Sequence, residues 1–176
     1  LLTKADAGQL TLALEPVRMH DIVREAVEDA QHLAQGQNVQ VGLAACEDVS
    51  VRGERHRLRQ LLLNLTDNAI KYNRPNGTVT LSLRRVDGSA ELVVANTGRG
   101  IPRDLQSRVF DRFFRADPSH GGAAEGCGLG LSIAQWIVRA HGGSIRLEKP
   151  AERGACFVLE LPAEPPAPPS TSGGRP

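Results

Sequence analysis

A leucine-rich helix with a polar edge, Arg55 to Tyr72, constrains the fold of this sequence most. Its apolar side chains recur at helical spacing and form one face, made of Leu58, Leu61, Leu65 and Ala69. Such a face is buried against another layer of secondary structure. The helix therefore predicts one layer of a packed α/β structure.

The segments after this helix predict a β-hairpin. Thr78 to Val86 and Glu91 to Ala95 alternate apolar and polar residues, and the turn Asp87-Gly88 joins them. Helical spacing also predicts helices at Met19 to Leu33 and Gly128 to His141, and a short one after Pro102. Further strands are predicted at Gln9 to Glu15 (ended by Pro16), Val39 to Leu43, Val49 to Arg52, Ser144 to Glu148 and Cys156 to Leu161.

These elements predict an α+β fold. It is a two-layer α/β sandwich, with a mixed, mostly antiparallel sheet and three helices on one face. A length of 176 residues suits one domain of ordinary size. A net charge of +1 gives no broad basic field for nucleic acid. The three cysteines suit reduced thiols in a cytosolic compartment and lie in no metal-ligand spacing.

Three polar residues share one stripe along the edge of the leucine-rich helix: Asn64, Asn68 and Lys71. An amide oxygen is a hard ligand that suits Mg²⁺, and a lysine ammonium suits phosphate. The alternative is that they are solvated or capping residues of a surface helix. Three in register favour the first interpretation.

Two glycine-bearing stretches follow. "NTGRGIP", Asn96 to Pro102, has two glycines that let backbone approach a ligand closely, although such a pair more often marks a turn. In "GCGLGL", from Gly126, three glycines lead into a helix, and free N–H groups at a helix N-terminus bind phosphate. A tight packing turn is the alternative for the second stretch.

In this order, the stretches resemble the ATP-binding catalytic domain of bacterial sensor histidine kinases. "NLTDNAIKY" looks like that family's N box, "NTGRGIP" like its G1 box, "VFDRFFRAD" like its F box and "GCGLGL" like its G2 box. The resemblance implies a Bergerat-type fold that holds Mg-ATP between the N-box helix and a mobile lid.

The resemblance also implies roles for individual residues. In the N box, Asn68 would ligate Mg²⁺, Asn64 would support the metal and phosphates, and Lys71 and Tyr72 would meet the phosphates and purine. The adenine pocket would be formed by Asn96, Gly98, Gly100 and Ile101. Arg115 and the backbone of Gly126, Gly128, Leu129 and Gly130 would reach the phosphates. The residues expected to act in catalysis are Asn68, Lys71 and Arg115.

Asn64 stands where gyrase and related ATPases place a glutamate that activates water. A neutral amide cannot act as a general base. The site is therefore expected to deliver phosphate to a separate nucleophile rather than to hydrolyse ATP. A nucleotide-binding regulatory module without kinase activity is the alternative, and a gyrase-like ATPase is disfavoured.

The phosphoacceptor expected from the family is a histidine on an upstream helical dimerisation hairpin. None of the histidines here has the expected sequence context, although "HDIV" at His20 resembles it in part. Residues 1–9 are interpreted as the tail of that hairpin, 10–161 as the catalytic domain and 162–176 as a disordered proline-rich tail. The expected partners are the hairpin and a response regulator. We expect a cytoplasmic, monomeric fragment of a homodimeric protein, whose membrane anchoring is left open.

Two departures from the family pattern concern the G1 and G2 boxes. Cys127 replaces the usual Thr or Ser and is small enough to fit. Asn96 replaces the usual Asp, and because an amide can flip to serve adenine or guanine, purine selectivity is expected to loosen. The alternative is that ordered water reads the base and Asn96 is neutral. Residues Ala116 to Glu125 are predicted to form the lid, anchored by Phe110, Phe113 and Phe114.

Overall fold

A computed structural model describes residues 12–115, 128–148 and 154–165 of the chain. The elements in chain order are β1 (Glu15–Arg18), α1 (Met19–Ala34), β2 (Gln40–Cys46), β3 (Ser50–Gly53), α2 (Arg55–Lys71), β4 (Thr78–Val86), β5 (Ser89–Asn96), a 3₁₀ helix (Arg103–Arg108), α3 (Gly130–Ala140), β6 (Ser144–Glu148) and β7 (Ala155–Pro162). The three predicted helices are confirmed within a few residues of their expected ends.

The main sheet has five strands in the order β2-β4-β5-β7-β6. Strand β2 runs parallel to β4, and every other neighbouring pair is antiparallel. The β4–β5 hairpin closes at Asp87 and Gly88, which both have positive φ, at 47° and 80°, as a type I′ turn requires. The predicted α+β class with a mixed, mostly antiparallel sheet is confirmed.

The core lies between the helices and one face of this sheet. Strand β5 shows the alternation that produces it, since Ala90, Leu92 and Val94 are buried and the residues between them are less so. Facing them, α2 contributes the apolar face seen in the sequence, including Leu58, Leu61 and Leu65, each fully buried. Helix α2 also packs against both α1 and α3, so it occupies the middle of the helical layer.

His141 ties the start of α2 to the end of α3. The ring is buried, and its Nε2 accepts a hydrogen bond from the backbone N–H of Glu54 at 3.1 Å. Its Nδ1–H donates to the carbonyl of Ile137 at 2.7 Å. Because Nε2 must accept, the ring is the neutral Nδ1–H tautomer. This side chain fixes α2 to α3 at the opposite end of both helices from Asn68 and Gly130.

The first strand was placed wrongly by the sequence pattern. A strand was expected from Gln9 to Glu15 and ended by Pro16, but residues 12–14 are irregular and β1 spans Glu15–Arg18 with Pro16 inside it. Within the described ranges strand β1 pairs only with β3, in a separate two-stranded sheet where Pro16 is the register partner of Arg52. A strand with one neighbour tolerates the missing N–H of proline.

The fold also continues beyond its expected end at Leu161. Strand β7 includes Pro162, and the N–H groups of Ala163 and Glu164 donate to the carbonyls of Gly88 and Ser50. The first residues of the expected tail are therefore part of the fold. The expected hairpin tail at 1–9 and the lid at 116–125 lie outside the described residues. No helix in the described part of the chain is long and apolar enough to cross a membrane.

Candidate functional site

Helix α2 carries the predicted polar stripe at the edge of the core. Asn64, Asn68 and Lys71 are each partly exposed, whereas the neighbouring Leu65 and Ala69 are buried. The three side chains therefore line a border between the helical layer and solvent, as their spacing predicts. Such a border allows a polar ligand to reach groups that the core holds in place.

The Asn64 side chain leaves one polar atom without a partner. Its Nδ2 is buried and makes no hydrogen bond within the described structure. A buried amide N–H without an acceptor costs about 1–3 kcal/mol. Phosphate oxygens are strong acceptors, so this donor fits a phosphate group better than it fits a metal ion.

Asn68 lies beside the first turn of α3. Its Nδ2 is 3.4 Å from the position that a Cβ on Gly130 would take. Among the described residues no side chain caps this helix at Leu129, whose carbonyl accepts hydrogen bonds from Ser132 Oγ and the Ile133 N–H. The first-turn N–H groups therefore remain for an anion. The structure thus brings the N-box amide and the G2 helix start together.

Gly98 packs against the end of α2. A Cβ on Gly98 would fall 2.0 Å from the Tyr72 carbonyl oxygen and 2.6 Å from Asn96 Nδ2. Only glycine allows this approach, which places the G1 loop directly beside the N-box helix. The Tyr72 side chain is 56% exposed, and Lys71 Nζ lies 5.7 Å from the centre of its ring.

The start of the G1 stretch is anchored on β7. Asn96 is buried, and its Oδ1 accepts a hydrogen bond from the Ala155 N–H at 3.3 Å. Gly100 has a φ of +76°, and a Cβ there would lie 2.9 Å from the Gly154 carbonyl oxygen. Ile101 is partly buried against the core. The predicted adenine-pocket residues therefore form one continuous wall next to Tyr72.

Two residues that the sequence did not single out fix this wall to α2. Asn73 Nδ2 donates to the Thr78 carbonyl at 3.0 Å, and its Oδ1 accepts from Thr97 Oγ1 at 3.3 Å. Thr97 Oγ1 in turn accepts from the Thr78 N–H at 2.8 Å. An Asn just after a helix end, before a Pro-Asn-Gly turn, is the sequence signal that could have identified Asn73.

The F-box aromatics pack against the start of the G2 segment. The Phe113 N–H donates to the Gly128 carbonyl at 3.0 Å, and a Cβ on Gly128 would lie 2.9 Å from the Phe114 carbonyl oxygen. Gly128 has a φ of +68°, which glycine adopts without strain. The Phe113 ring is 70% exposed, whereas Phe110 packs edge-on against Phe157. These contacts place the near end of the predicted lid beside α3.

No contact among the described residues brings Arg115 to the asparagines. It lines an open surface groove of about 510 Å³ with residues of the F box: Arg108, Asp111, Arg112, Phe113 and Phe114. The guanidinium of Arg108 stacks on the Phe114 ring at 4.9 Å. The expected role of Arg115 at the phosphates remains a prediction. Gly126 and Cys127 lie outside the described residues.

Comparison with known families decides the class of this site. The model of the histidine kinase-, DNA gyrase B- and HSP90-like ATPases matches residues 53–165, more than half of the chain. The chain belongs to this family. The match includes all four motifs, so the resemblance seen in the sequence is confirmed at the level of an ATP-binding domain.

Relatives of the chain are named as sensor proteins and sensor histidine kinases. The chain is 38% identical over 162 residues to the sensor protein DivL of Caulobacter vibrioides, covering 92% of the chain and 20% of DivL. It is 39% identical over 165 residues to the sensor-like histidine kinase SenX3 of Mycolicibacterium smegmatis, covering 93% of the chain and 43% of SenX3. The chain thus spans less than half the length of these relatives. Their names place it in the histidine kinase branch, as a catalytic domain.

Solved histidine kinases share the fold. Full-length ShkA in complex with AMPPNP superposes with a TM-score of 0.81 at 30% identity, covering 95% of the chain and 35% of ShkA. Histidine kinase ThkA in complex with the response regulator TrrA gives a TM-score of 0.74 at 25% identity, covering 93% of the chain and 46% of the matched chain. The described part of the chain therefore has the fold of these histidine kinases.

Proposed function

We propose that the chain binds Mg-ATP and donates its γ-phosphate to a histidine on a helical hairpin upstream in the same protein. The observation that carries this proposal is the convergence of Asn68 with the uncapped start of α3 at Gly130. One element offers amide groups and the other offers backbone N–H groups, which together suit a metal-bound phosphate chain. The AMPPNP complex of the similar ShkA supports a nucleotide as the ligand.

Each N-box residue has a task in this proposal. The Asn68 amide oxygen would hold Mg²⁺, which when bound neutralises phosphate charge. The unpartnered Asn64 Nδ2 would donate to a phosphate oxygen, and the Lys71 ammonium would contribute positive charge near the phosphates. Tyr72, Asn96, Gly98, Gly100 and Ile101 would contact the purine. The phosphates would be reached by Arg115 and by the backbone of Gly126, Gly128, Leu129 and Gly130.

The chemistry of the stripe favours transfer over hydrolysis. Asn64 cannot accept a proton as a carboxylate would, so no residue at that place can activate water. Catalysis would then rest on positioning and on charge neutralisation by Asn68 and Lys71. His20 is only 5% exposed in α1, so the phosphoacceptor is expected outside this domain.

The partners of this domain follow from the same proposal. The first is the upstream hairpin, of which residues 1–9 would be the end, and the second is a response regulator. The structure of the similar ThkA with its response regulator TrrA supports the second. The isolated domain would be monomeric and cytoplasmic and would bind no nucleic acid, whereas the hairpin would make the full protein a homodimer.

The proposal is tested by joining the chain to its native upstream hairpin and supplying γ-labelled ATP. An acid-labile, alkali-stable label on the hairpin, lost in the Asn68→Ala variant, is expected because the phosphohistidine bond has these stabilities. Nucleotide binding without any labelled protein would instead support a regulatory module. Sustained phosphate release without labelled protein would support an ATPase. Either of these two results contradicts the proposal.

A further inference from the structure

The side-chain amide of Asn96 has a fixed orientation. Asn96 ends β5 and is only 9% exposed. Its Oδ1 accepts a hydrogen bond from the backbone N–H of Ala155 at 3.3 Å. Because a backbone N–H can only donate, a flipped amide would set two donors against each other in a buried place. The amide oxygen is therefore committed to Ala155.

The strand pairing holds Ala155 where it can impose this orientation. Asn96 and Ala155 are register partners in the β5–β7 ladder. The preceding Gly154 lies so close that a Cβ on it would fall 1.8 Å from the Asn96 carbonyl oxygen. The Ala155 N–H is therefore held beside Asn96 at the last pair of the β5–β7 ladder.

The other end of the amide is directed to the G1 loop. Asn96 Nδ2 lies 2.6 Å from the position that a Cβ on Gly98 would take, and it makes no hydrogen bond within the described residues. This position therefore presents N–H donors next to Gly98. An aspartate with one oxygen bound to Ala155 would present a second oxygen, an acceptor, at the same place.

We propose that Asn96 reads the purine as a hydrogen-bond donor, so that this site accepts 6-oxopurine nucleotides at least as well as adenine nucleotides. This inference rests on the proposed function, in which the base lies against Asn96 and Gly98. An N–H donor can pair with the 6-oxo group of hypoxanthine or guanine, or with ring N1 of adenine. It cannot accept the adenine amino group. The sequence predicted an Asn96 amide that could flip to serve either purine. In the structure this amide has one orientation, with its oxygen toward Ala155.

The experiment compares ATP with inosine triphosphate, which differs from ATP by a 6-oxo group in place of the 6-amino group and by a proton on ring N1. Both are titrated in Mg²⁺ into the unaltered chain and into Asn96→Asp. The unaltered chain is expected to bind inosine triphosphate as tightly as ATP or more tightly. In Asn96→Asp the ratio of the two affinities is expected to shift toward ATP by about tenfold or more, because two acceptors then meet at the 6-oxo group.

A charge-matched control is Asn38→Asp, which adds the same negative charge at an exposed turn residue with a φ of 51°. It is expected to leave the ratio unchanged. An equal ratio in the unaltered chain and Asn96→Asp would overturn the inference while leaving nucleotide binding intact. A preference of about tenfold for ATP in the unaltered chain would also overturn the inference, even if Asn96→Asp fails to fold. Failure of both nucleotides to bind the unaltered chain would overturn the proposed function and this inference with it.

Discussion

The Asn68 side-chain nitrogen lies 3.4 Å from the point where a Cβ on Gly130 would sit. This contact places Asn68, in the last turn of α2, beside the first residue of α3, a helix that follows much later in the chain. A Cβ at this distance would make an ordinary van der Waals contact, so the amide lies directly against the start of α3. The two helices therefore meet at the edge of the proposed phosphate site.

The unpartnered amide of Asn64 predicts a conflict between stability and binding. Asn64→Leu should raise the free energy of unfolding of the nucleotide-free domain by about 1 kcal/mol, because a buried donor without an acceptor is removed. It should also weaken the affinity for Mg-ATP. Urea denaturation and calorimetric titration measure the two effects. Gln35→Leu, at an exposed position at the end of α1, serves as the control and should show neither. A less stable Asn64→Leu would show that Nδ2 is satisfied in solution.

The contact of Gly98 with Tyr72 predicts a strong cost for a single methyl group. Gly98→Ala would place its Cβ 2.0 Å from the Tyr72 carbonyl oxygen, so the G1 loop or the end of α2 must shift. The free energy of unfolding should fall by about 2 kcal/mol or more, as expected for overpacking against backbone. Chemical denaturation measures this change.

The matched variant for this test is Gly36→Ala, because nothing lies within 4 Å of a Cβ there. It should be neutral or stabilising by up to about 1 kcal/mol, since alanine reduces the entropy of the unfolded chain. Equal stability of Gly98→Ala and Gly36→Ala would show that the G1 loop does not pack on α2 as described.

The two hydrogen bonds of His141 predict that it is a structural residue. His141→Ala should lower the free energy of unfolding by about 2–4 kcal/mol, because it opens a cavity and leaves the partly buried Glu54 N–H without its acceptor. The Ile137 carbonyl loses only its side-chain donor and keeps the backbone N–H of residue 141. Thermal and urea denaturation measure the loss. The exposed His56 on α2 provides the comparison, and His56→Ala should change stability little. A loss of the same size in both variants would contradict the assigned role.

Local sequence patterns predicted the parts of this fold that local chemistry determines. The helical spacing around Leu61 and the Asp87-Gly88 turn each specify an element from a few adjacent residues. The position of β1 was missed because pairing with β3, and not its own alternation, decides which residues are extended. Pro16 could be accommodated only once that edge position was known.

The same distinction between local and long-range determinants applies to the candidate site. The polar stripe of Asn64, Asn68 and Lys71 is visible in one helix, so it could be predicted. The orientation of the Asn96 amide could not, because the N–H group that fixes it belongs to Ala155, far along the chain. The network of Asn73 and Thr97 likewise depends on β4 and β5 meeting the end of α2. Long-range register, rather than residue type, determines these features.

The central claim is tested most directly by the magnesium-dependent binding of ATP to this domain. Calorimetric titration with and without EDTA compares the unaltered chain with Asn68→Ala. Gln31→Ala, which shortens an exposed amide on α1, is the control. Asn68→Ala should keep a cooperative unfolding transition, since Asn68 borders the core, but should lose most of the affinity that Mg²⁺ adds, about tenfold or more. ATP binding that remains as tight and as magnesium-dependent in Asn68→Ala as in the unaltered chain would contradict the assignment of the site.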